Sequence, residues 1–346
     1  MPTTMTGMPA VARPGRPQRA QRGAALLMAM VIVTLVATFA ASMVWQQWRA
    51  VQVESAERVR TQAMWVLSGA LDWARLILRE DARNGGPDHL GEAWATPLAE
   101  ARLSTFLAAD AGNTDDAPEA FLSGRVEDAT ARYNLRNVVD GAGELDAREV
   151  AVLRRLCEML GLAPALGDGL AASYRRAWLA QQTGDATLLA KLGGETEQAQ
   201  APLMPQHVDQ LVWLGFDAAT VERLRPYLTV LPDSTGVNVN TAPKEVIAAA
   251  VDRLDLATAE RLVQARQRSA FKDAAELSRV LDARTLDLSR LRTNSDFFEV
   301  RGRLRLEDNV IEQRHLVQRV GMDVLVRHQS RFSGLEPTAG SGQTRP

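Results

Sequence analysis

The sequence AALLMAMVIVTLVATFAASMVWQQW, residues 24–48, contains no charged side chain. As a helix rising about 1.5 Å per residue it would be roughly 37 Å long, enough to cross a hydrocarbon core of about 30 Å. Residues 1–23 contain no acid and four arginines, Arg13, Arg16, Arg19 and Arg22. Because positively charged flanks stay in the cytoplasm, the sequence predicts a cytoplasmic N-terminus and export of everything after Arg49.

Three interpretations of this apolar segment stay open at this point. An ordinary secretory signal has an apolar core of only about 7–15 residues, although Ala40, Ala41 and Ser42 could imitate its cleavage site. A cut before the apolar run, after Gly23, resembles the processing of a type IV prepilin leader. An uncleaved signal anchor, in which Gly23 has no role in processing, fits this segment as well as a prepilin leader does.

The composition excludes several classes of protein. The chain has 346 residues, 46% hydrophobic and 24% charged, with a net charge of −2 that gives no general reason to expect nucleic acid. Cys157, the only cysteine, has helical apolar spacing and cannot form an internal disulfide. The four histidines form no ligand-spaced pair, and no phosphate loop or nucleophile elbow is present. We therefore expect neither an enzyme nor a metal site.

Apolar periodicity predicts one helix from Ala24 to about Ala82, ended by Asn84 and the Gly-Gly-Pro after it. Beyond the membrane segment, apolar residues recur at intervals of three and four at Val59, Ala63, Val66, Ala70, Trp73 and Ile77. Such a stripe is typical of a helix with one buried face. We expect that face to pack on a small sheet.

Strand patterns stand on both sides of a long helical region. Residues 121–128 and 131–135 predict a hairpin around Ala129 and Thr130, and further strands are predicted at 297–306, 309–319 and 322–328. Helical spacing covers 146–160, 165–181, 206–214, 217–227, 243–253, 257–268 and 273–281. Residues 330–346 are rich in Ser, Gly, Pro and Thr, which predicts disorder. The pattern predicts an α+β domain whose sheet is interrupted by an all-helical insertion.

Several segments together resemble one family, the type II secretion system minor pseudopilin K (GspK) family. The resemblance extends from Arg22 to Arg327, and its segments are RGAALL at 22–27, RED at 79–81, HLGEAWA at 89–95, LSGRVED at 122–128, YNL at 133–135 and VNVNTAP at 237–243. It implies a minor pseudopilin at the pseudopilus tip, which starts and caps assembly for export of folded proteins across the outer membrane.

The resemblance also implies an organisation and a set of partners. It implies a type IV pilin-like fold, a long N-terminal helix with a small antiparallel sheet, carrying a large helical insertion with a helix-hairpin-helix-like unit. The segments are a leader (1–23), a transmembrane half-helix (24–48), a pilin-like domain in two parts (49–140 and 292–329), an insertion (141–291) and a disordered tail (330–346). The implied partners are the I and J minor pseudopilins, the major pseudopilin, prepilin peptidase and the inner-membrane assembly platform.

The resemblance places functional residues at the N-terminus. Prepilin peptidase would cut between Gly23 and Ala24, and Ala24 would be N-methylated. The membrane-embedded assembly helix would include Leu26, Leu27, Met28, Val31 and Leu35. Most pilins carry Glu at the fifth mature position, where it pairs with the amine of the subunit above. Met28 is at this position, which agrees with a tip subunit. An apolar residue that faces lipid would explain Met28 equally well without a tip position.

Calcium is the one cofactor that the family suggests, through an acidic stretch and loop in its helical insertion. Calcium requires about six to eight oxygen ligands. In this chain residues 173–176 read Ser-Tyr-Arg-Arg, and the remaining acids Asp185, Glu195 and Glu197 are sparse. We therefore predict that no calcium site is retained.

A membrane-anchored DNA-binding protein is the alternative function, because residues 239–271 resemble a helix-hairpin-helix module. That module binds phosphate through backbone N–H groups of a glycine-containing hairpin. The connection at 252–258 contains no glycine and carries two aspartates, which repel phosphate. We expect the module to be a packing unit, with Asn240 or Thr241 capping the helix after Pro243. An enzyme using Glu80, Asp81, Glu127 and Asp128 is the weakest alternative.

Overall fold

The computed structural model describes residues 19–103, 120–182, 184–281, 286–306 and 309–335. Residues up to Met64 and residues from Trp65 onward form two compact units, which are described separately. Most of the predicted leader, residues 1–18, lies outside the described part of the chain.

The first unit is helical throughout its described residues. Helix α1 begins at Arg19 and ends at Asn84, so the predicted single helix from Ala24 to about Ala82 is confirmed. Every residue from Gly23 to Arg58 is exposed. This part of α1 is long and apolar enough to cross a membrane, judged by length and composition, and is a candidate membrane anchor.

The second unit contains an antiparallel sheet of five strands, which are β1 (Leu98–Arg102), β2 (Ala120–Asp128), β7 (Phe297–Leu306), β8 (Asn309–Val320) and β9 (Asp323–Leu335). They lie in the order β1-β2-β7-β8-β9. Strand β2 pairs with β7 along its whole length, from Ala120 opposite Leu306 to Asp128 opposite Phe298. The first two strands precede the helical region in the chain and the last three follow it.

One face of this sheet is covered by the part of α1 that belongs to the second unit. Leu67, Ala74 and Leu78 are buried there. A Cβ on Gly302 of β7 would lie 3.0 Å from Leu67 Cδ2, so glycine lets the helix approach the strand closely. Ala63 of the predicted apolar face is buried, but from residue 66 onward the buried positions lie one residue later than predicted. Trp73, which we expected to be buried, is 56% exposed, because the helix is apolar on more than one side.

The helical region lies between strands β2 and β7 of the sequence and has its own core. Leu153, Leu170, Ile247 and Leu262 belong to this core. Two short parallel strand pairs contribute buried residues to it, namely β3 (Tyr133–Asn134) with β4 (Leu228–Thr229) and β5 (Val237–Asn238) with β6 (Leu291–Arg292). The helices α2 to α9 are Ala147–Met159, Pro164–Gln181, Ala186–Leu192, Glu195–Ala199, Ala218–Leu224, Lys244–Ala250, Leu256–Arg268 and Ala274–Val280.

The predicted hairpin of 121–128 with 131–135 is wrong. Asp128 accepts a hydrogen bond from the Thr130 backbone N–H at 2.8 Å, and residues Ala129–Ala131 turn as a 3-10 helix. The chain then leaves the sheet, and β3 (Tyr133–Asn134) pairs in parallel with β4 (Leu228–Thr229). An apolar alternation identifies a strand, but it does not identify the partner strand.

Three smaller expectations also need correction. Val208–Leu214 forms a 3-10 helix rather than an α-helix. The region 141–291 is not entirely helical, because it contains the two-residue strands β4 and β5 and the start of β6 (Leu291–Arg292). The predicted disordered tail began at residue 330, but β9 continues to Leu335 and pairs with β8. Residues 336–346 lie outside the described part of the chain.

Candidate functional site

The predicted processing and assembly residues lie on an unpacked part of α1. Gly23 and Ala24 are within the helix, and a Cβ on Gly23 would meet no atom within 4 Å. The assembly residues are 52 to 67% exposed, namely Leu26, Leu27, Met28, Val31 and Leu35. A continuous apolar surface of this kind is a surface for lipid or for partner helices.

A second site is a buried polar cluster where the LSGRVED and VNVNTAP segments meet the residue that precedes HLGEAWA. Asp128, at the end of LSGRVED, lies at its centre. Its Oδ2 accepts hydrogen bonds from Asn238 Nδ2 at 2.9 Å and Thr241 Oγ1 at 2.5 Å, both in VNVNTAP. Its Oδ1 accepts from Thr130 and from the Ser295 hydroxyl. One carboxylate thus joins the end of β2 to the VNVNTAP segment of the helical region and to Ser295, just before β7.

The loop after α1 joins this cluster through Asp88, the residue directly before HLGEAWA. The Asp88 backbone carbonyl accepts from Asn238 Nδ2 at 3.0 Å, and its side chain accepts from the Ser295 N–H at 2.6 Å. Arg319 of β8 donates to Asp88 at 2.7 Å and to Asp81 of α1 at 2.7 Å. Burial raises the pKa of Asp88 from its usual 3.8 to about 6.

Asp81, Asp88 and Glu92 bring their carboxylates within 4.8 Å of one another, a spacing that could hold a metal ion. Arg319 already supplies positive charge to two of the three. Glu92 accepts hydrogen bonds from Trp94 Nε1 at 2.7 Å and from the His89 N–H at 2.9 Å. The group is therefore an ion-pair network that fastens the loop after α1 to the sheet. Two of these acids, Asp81 in RED and Glu92 in HLGEAWA, lie in segments that resemble the K family, whereas Asp88 does not.

The VNVNTAP segment is held by contacts that differ from the predicted helix cap. Asn240 accepts from the Phe271 N–H at 2.9 Å and donates to the Phe271 carbonyl at 2.9 Å. Thr241 bonds to Asp128, and Pro243 is the N-cap residue of α7, with no side-chain cap. Arg266, expected on a solvated face, donates to the Val239 carbonyl at 2.6 Å. Its burial lowers the pKa of its guanidinium to about 10.

The α7–α8 hairpin is the element that a DNA-binding function would use. Arg253, with φ of 63°, takes the left-handed conformation at a position where glycine would be easier. Asp252 pairs with Arg155 at 3.2 Å. The Asp255 side chain accepts from the Thr258 N–H at 2.7 Å, so a carboxylate occupies the helix N-terminus that a phosphate would need.

The residues considered for calcium have other contacts. Asp185 caps helix α4 by accepting from the Thr187 N–H at 2.9 Å. Glu197 pairs with Arg176 at 3.4 Å, and Glu195 begins helix α5. Arg175 donates to the Gly143 carbonyl at 2.6 Å. Arg175 and Arg176 thus both bind partners within the helical region.

The carboxylates considered for catalysis do not converge. Glu80 pairs with Arg83 at 2.8 Å on the exposed side of α1. Glu127 pairs with Arg125 at 2.8 Å on the opposite face of β2 from Asp128. Asp128 is enclosed by hydroxyl and amide groups, as described above. Each of these acids therefore has a structural partner.

Comparisons with known proteins agree with the sequence resemblance. Two family models, both described as type II secretion system (T2SS), protein K, match residues 131–233 and 237–299. The chain is 30% identical to type II secretion system protein K of Pseudomonas aeruginosa, over 76% of this chain and 78% of that one. It is also 30% identical to type II secretion system protein K of Klebsiella pneumoniae, over 74% and 78% of the two chains.

A solved structure has the same fold. The crystal structure of the GspK-GspI-GspJ complex from the enterotoxigenic Escherichia coli type 2 secretion system contains a chain that matches with a TM-score of 0.55 and 17% identity. The match covers 80% of this chain and 98% of that one. With relatives at this level of identity and coverage, the chain belongs to the type II secretion system protein K family, whose members are minor pseudopilins.

Proposed function

We propose that this chain is the tip subunit of a type II secretion pseudopilus, which starts and caps its assembly for export of folded proteins. Its N-terminus lies in the cytoplasm, α1 crosses the inner membrane once, and the second unit is periplasmic. It acts as a structural component rather than as an enzyme. The exposed apolar surface of α1 from Gly23 onward carries the proposal, because it needs lipid or a partner helix.

Processing after Gly23 is the first step of this function. Glycine within a helix is less favourable than alanine by roughly 0.5–1 kcal/mol. Gly23 has no packing reason to be glycine, since a Cβ there would meet no atom within 4 Å. Recognition by prepilin peptidase supplies the missing reason. The peptidase would then methylate the new amine of Ala24.

A tip position agrees with Met28 as the fifth residue of the mature chain. A carboxylate within the bilayer is costly unless it has a partner, and a tip subunit has no subunit above it to supply one. Met28 is 67% exposed in the structure, so the fold of this chain does not require an apolar residue there.

We propose I and J minor pseudopilins as the partners that pack against α1. The major pseudopilin and the inner-membrane assembly platform are further partners, nearer the base of the pseudopilus. The support is the match to a chain from a GspK-GspI-GspJ complex. The remaining apolar residues of α1 fit such packing: Trp65 is 75% exposed, and Leu76 is 58% exposed.

We also propose that the fold is pilin-like, with the helical region as an insertion. Helix α1 covers the sheet β2-β7-β8-β9, as a pilin spine would. The helical region leaves the sheet after Asp128 and returns before Phe297. Within it, α7 and α8 form a helix-hairpin-helix-like unit used for packing, since Arg266 and Asn240 hold it by backbone contacts.

N-terminal mass spectrometry of the membrane-extracted protein tests this function. We expect a mature chain that begins with N-methylated Ala24. Gly23→Val should block the cleavage, because a branched Cβ does not fit where the peptidase accepts glycine. Gly69→Val is the matched control, since Gly69 lies in the same helix and also has no atom within 4 Å of its Cβ position. An intact Met1, or a start near Ser42, would contradict the proposal.

A further inference from the structure

A pocket of about 320 Å³ lies in the second unit, between helix α3 and strands β8 and β9. Its walls are mainly apolar and aromatic, and they include Tyr174, Trp178, Met204, Pro232 and Leu316. Sites for small ligands in proteins have this kind of lining and begin at about 300 Å³. We call it the Tyr174 pocket. It is separate from the buried cluster around Asp128.

Two buried polar atoms that border the Tyr174 pocket have no hydrogen-bond partner in the described part of the chain. They are the Tyr174 hydroxyl and His328 Nε2. Tyr174 is 0% exposed, and burial raises the pKa of its hydroxyl, so this group stays neutral and can donate. Native proteins satisfy nearly all buried polar atoms. Two unpartnered polar atoms at one pocket indicate that the pocket takes a ligand with a polar group.

The charge of the Tyr174 pocket indicates which kind of group that is. Arg136 and Arg327 both line it, and no Asp or Glu is among its lining residues in the described chain. The Arg136 guanidinium lies over the Trp178 ring, 5.0 Å from the ring centroid. Arg327 donates to the Gln318 amide oxygen at 2.6 Å. Neither arginine forms an ion pair with a described carboxylate, so both keep charge available for an anion.

We propose that the Tyr174 pocket binds a carboxylate carried on an aromatic or branched apolar group. The apolar body would fill the space between Trp178, Pro232 and Leu316. The carboxylate would accept hydrogen bonds from the Tyr174 hydroxyl and from the arginines at the rim. This site is independent of α1 and of its processing. Its carboxylate has two sources, a free small acid or an acidic residue beside an aromatic residue in another protein.

The test uses the full chain purified in detergent, with ¹⁹F NMR titration of 4-fluorophenylacetate. The matched probe is 4-fluorophenylacetamide, which has the same ring without the negative charge. We expect saturable binding of the acid and at least fivefold weaker binding of the amide. No binding of the acid at millimolar concentration, or equal binding of the amide, would overturn the proposal.

Variants separate the pocket from general effects on the fold. Arg136→Gln and the more exposed Arg327→Gln should each weaken binding of the acid at least fivefold. Tyr174→Phe should also weaken it while leaving the melting temperature unchanged or raised, because that variant removes an unsatisfied buried hydroxyl. Arg176→Gln is the control, since Arg176 is on the same helix but pairs with Glu197 instead. An equal loss in the Arg176 variant would contradict the assignment.

A second arm identifies the source of the carboxylate. The peptide acetyl-Gly-Glu-Phe-Gly-amide and its Gln-containing counterpart are titrated against the same chain by competition with 4-fluorophenylacetate. Displacement by the Glu peptide at lower concentration than by unlabelled phenylacetate would identify a protein segment as the ligand. Weaker displacement by the peptide would identify a small acid. Displacement by neither competitor would show that the fluorinated probe binds elsewhere, which overturns the proposal.

Discussion

Removal of the Asp128 carboxylate should destabilise the second unit more than removal of any exposed acid. Asp128→Ala would leave buried donors without an acceptor, chiefly the Thr130 N–H and one N–H of Asn238. Each unsatisfied buried donor costs about 1–3 kcal/mol. The Thr241 and Ser295 hydroxyls can rotate, so they add less. We expect a loss of about 3–5 kcal/mol.

The matched control lies one residue away. Glu127 is half-exposed on the opposite face of β2, where it pairs with Arg125. Because exposed ion pairs contribute about 0–1 kcal/mol, Glu127→Ala should change stability by no more than that. Asp128→Asn keeps one acceptor oxygen and should fall between the two alanine variants.

Urea unfolding of the full chain in detergent, followed by tryptophan fluorescence, measures these differences at constant m-value. A folded Asp128→Ala variant with the same midpoint as Glu127→Ala would refute the reasoning. Equal midpoints would mean that the cluster contributes no more than a surface ion pair.

Three further predictions follow from the same structure. Leu67→Asp, which buries a carboxylate against Gly302, should lower stability by several kcal/mol, whereas Ser68→Asp should not, as measured by urea unfolding. Burial raises the pKa of Asp88 from 3.8 to about 6, so between these pH values the folded chain binds a proton that the unfolded chain releases. The contribution of Asp88 to the free energy of unfolding should therefore increase as the pH falls from about 7 to 4. Asp88→Asn should remove this contribution from the pH dependence of the melting temperature. Millimolar calcium should not raise the melting temperature relative to magnesium, since Asp185 caps a helix and Glu197 pairs with Arg176; a calcium-specific rise of several degrees would contradict this.

The sequence predicted the positions of the helices and strands better than it predicted which of them pair or pack together. The periods of 3.6 and 2 residues located α1, most of the helices and strands β7 and β8 within a few residues. The partner of β2 was not predictable, because β7 is far away in the chain and local alternation carries no information about it. The side of α1 that packs was also ambiguous. Trp73 and Ala74 are both apolar, and the sheet buries only Ala74.

The buried cluster shows a similar limit at the candidate site. The sequence segments around Asp128 and Asn238 were recognised, but their contact was not. Arg319 was not recognised at all, because its partner Asp88 is 231 residues away in the chain. One feature of the sequence could have indicated that Asp88 is part of the cluster, namely its position directly before HLGEAWA. A charged residue next to a recognised segment is a reasonable candidate for a buried partner, but only the structure identifies the guanidinium that pairs with it.

The position of Asp128 explains why a single carboxylate has so many partners. Asp128 is the last residue of β2 before the helical region, and Ser295, 167 residues later, lies just before β7. Bringing the ends of a flexible segment of that length together costs about 4–5 kcal/mol of entropy. The helical region has its own hydrophobic core, and burial of this core offsets conformational entropy lost on folding. The core does not by itself determine where the two ends of the region meet. The pairing of β2 with β7, which places Asp128 opposite Phe298, brings the two ends together. Hydrogen bonds from Asn238, Thr241 and Ser295 to the Asp128 carboxylate then attach the VNVNTAP segment of the helical region to that point.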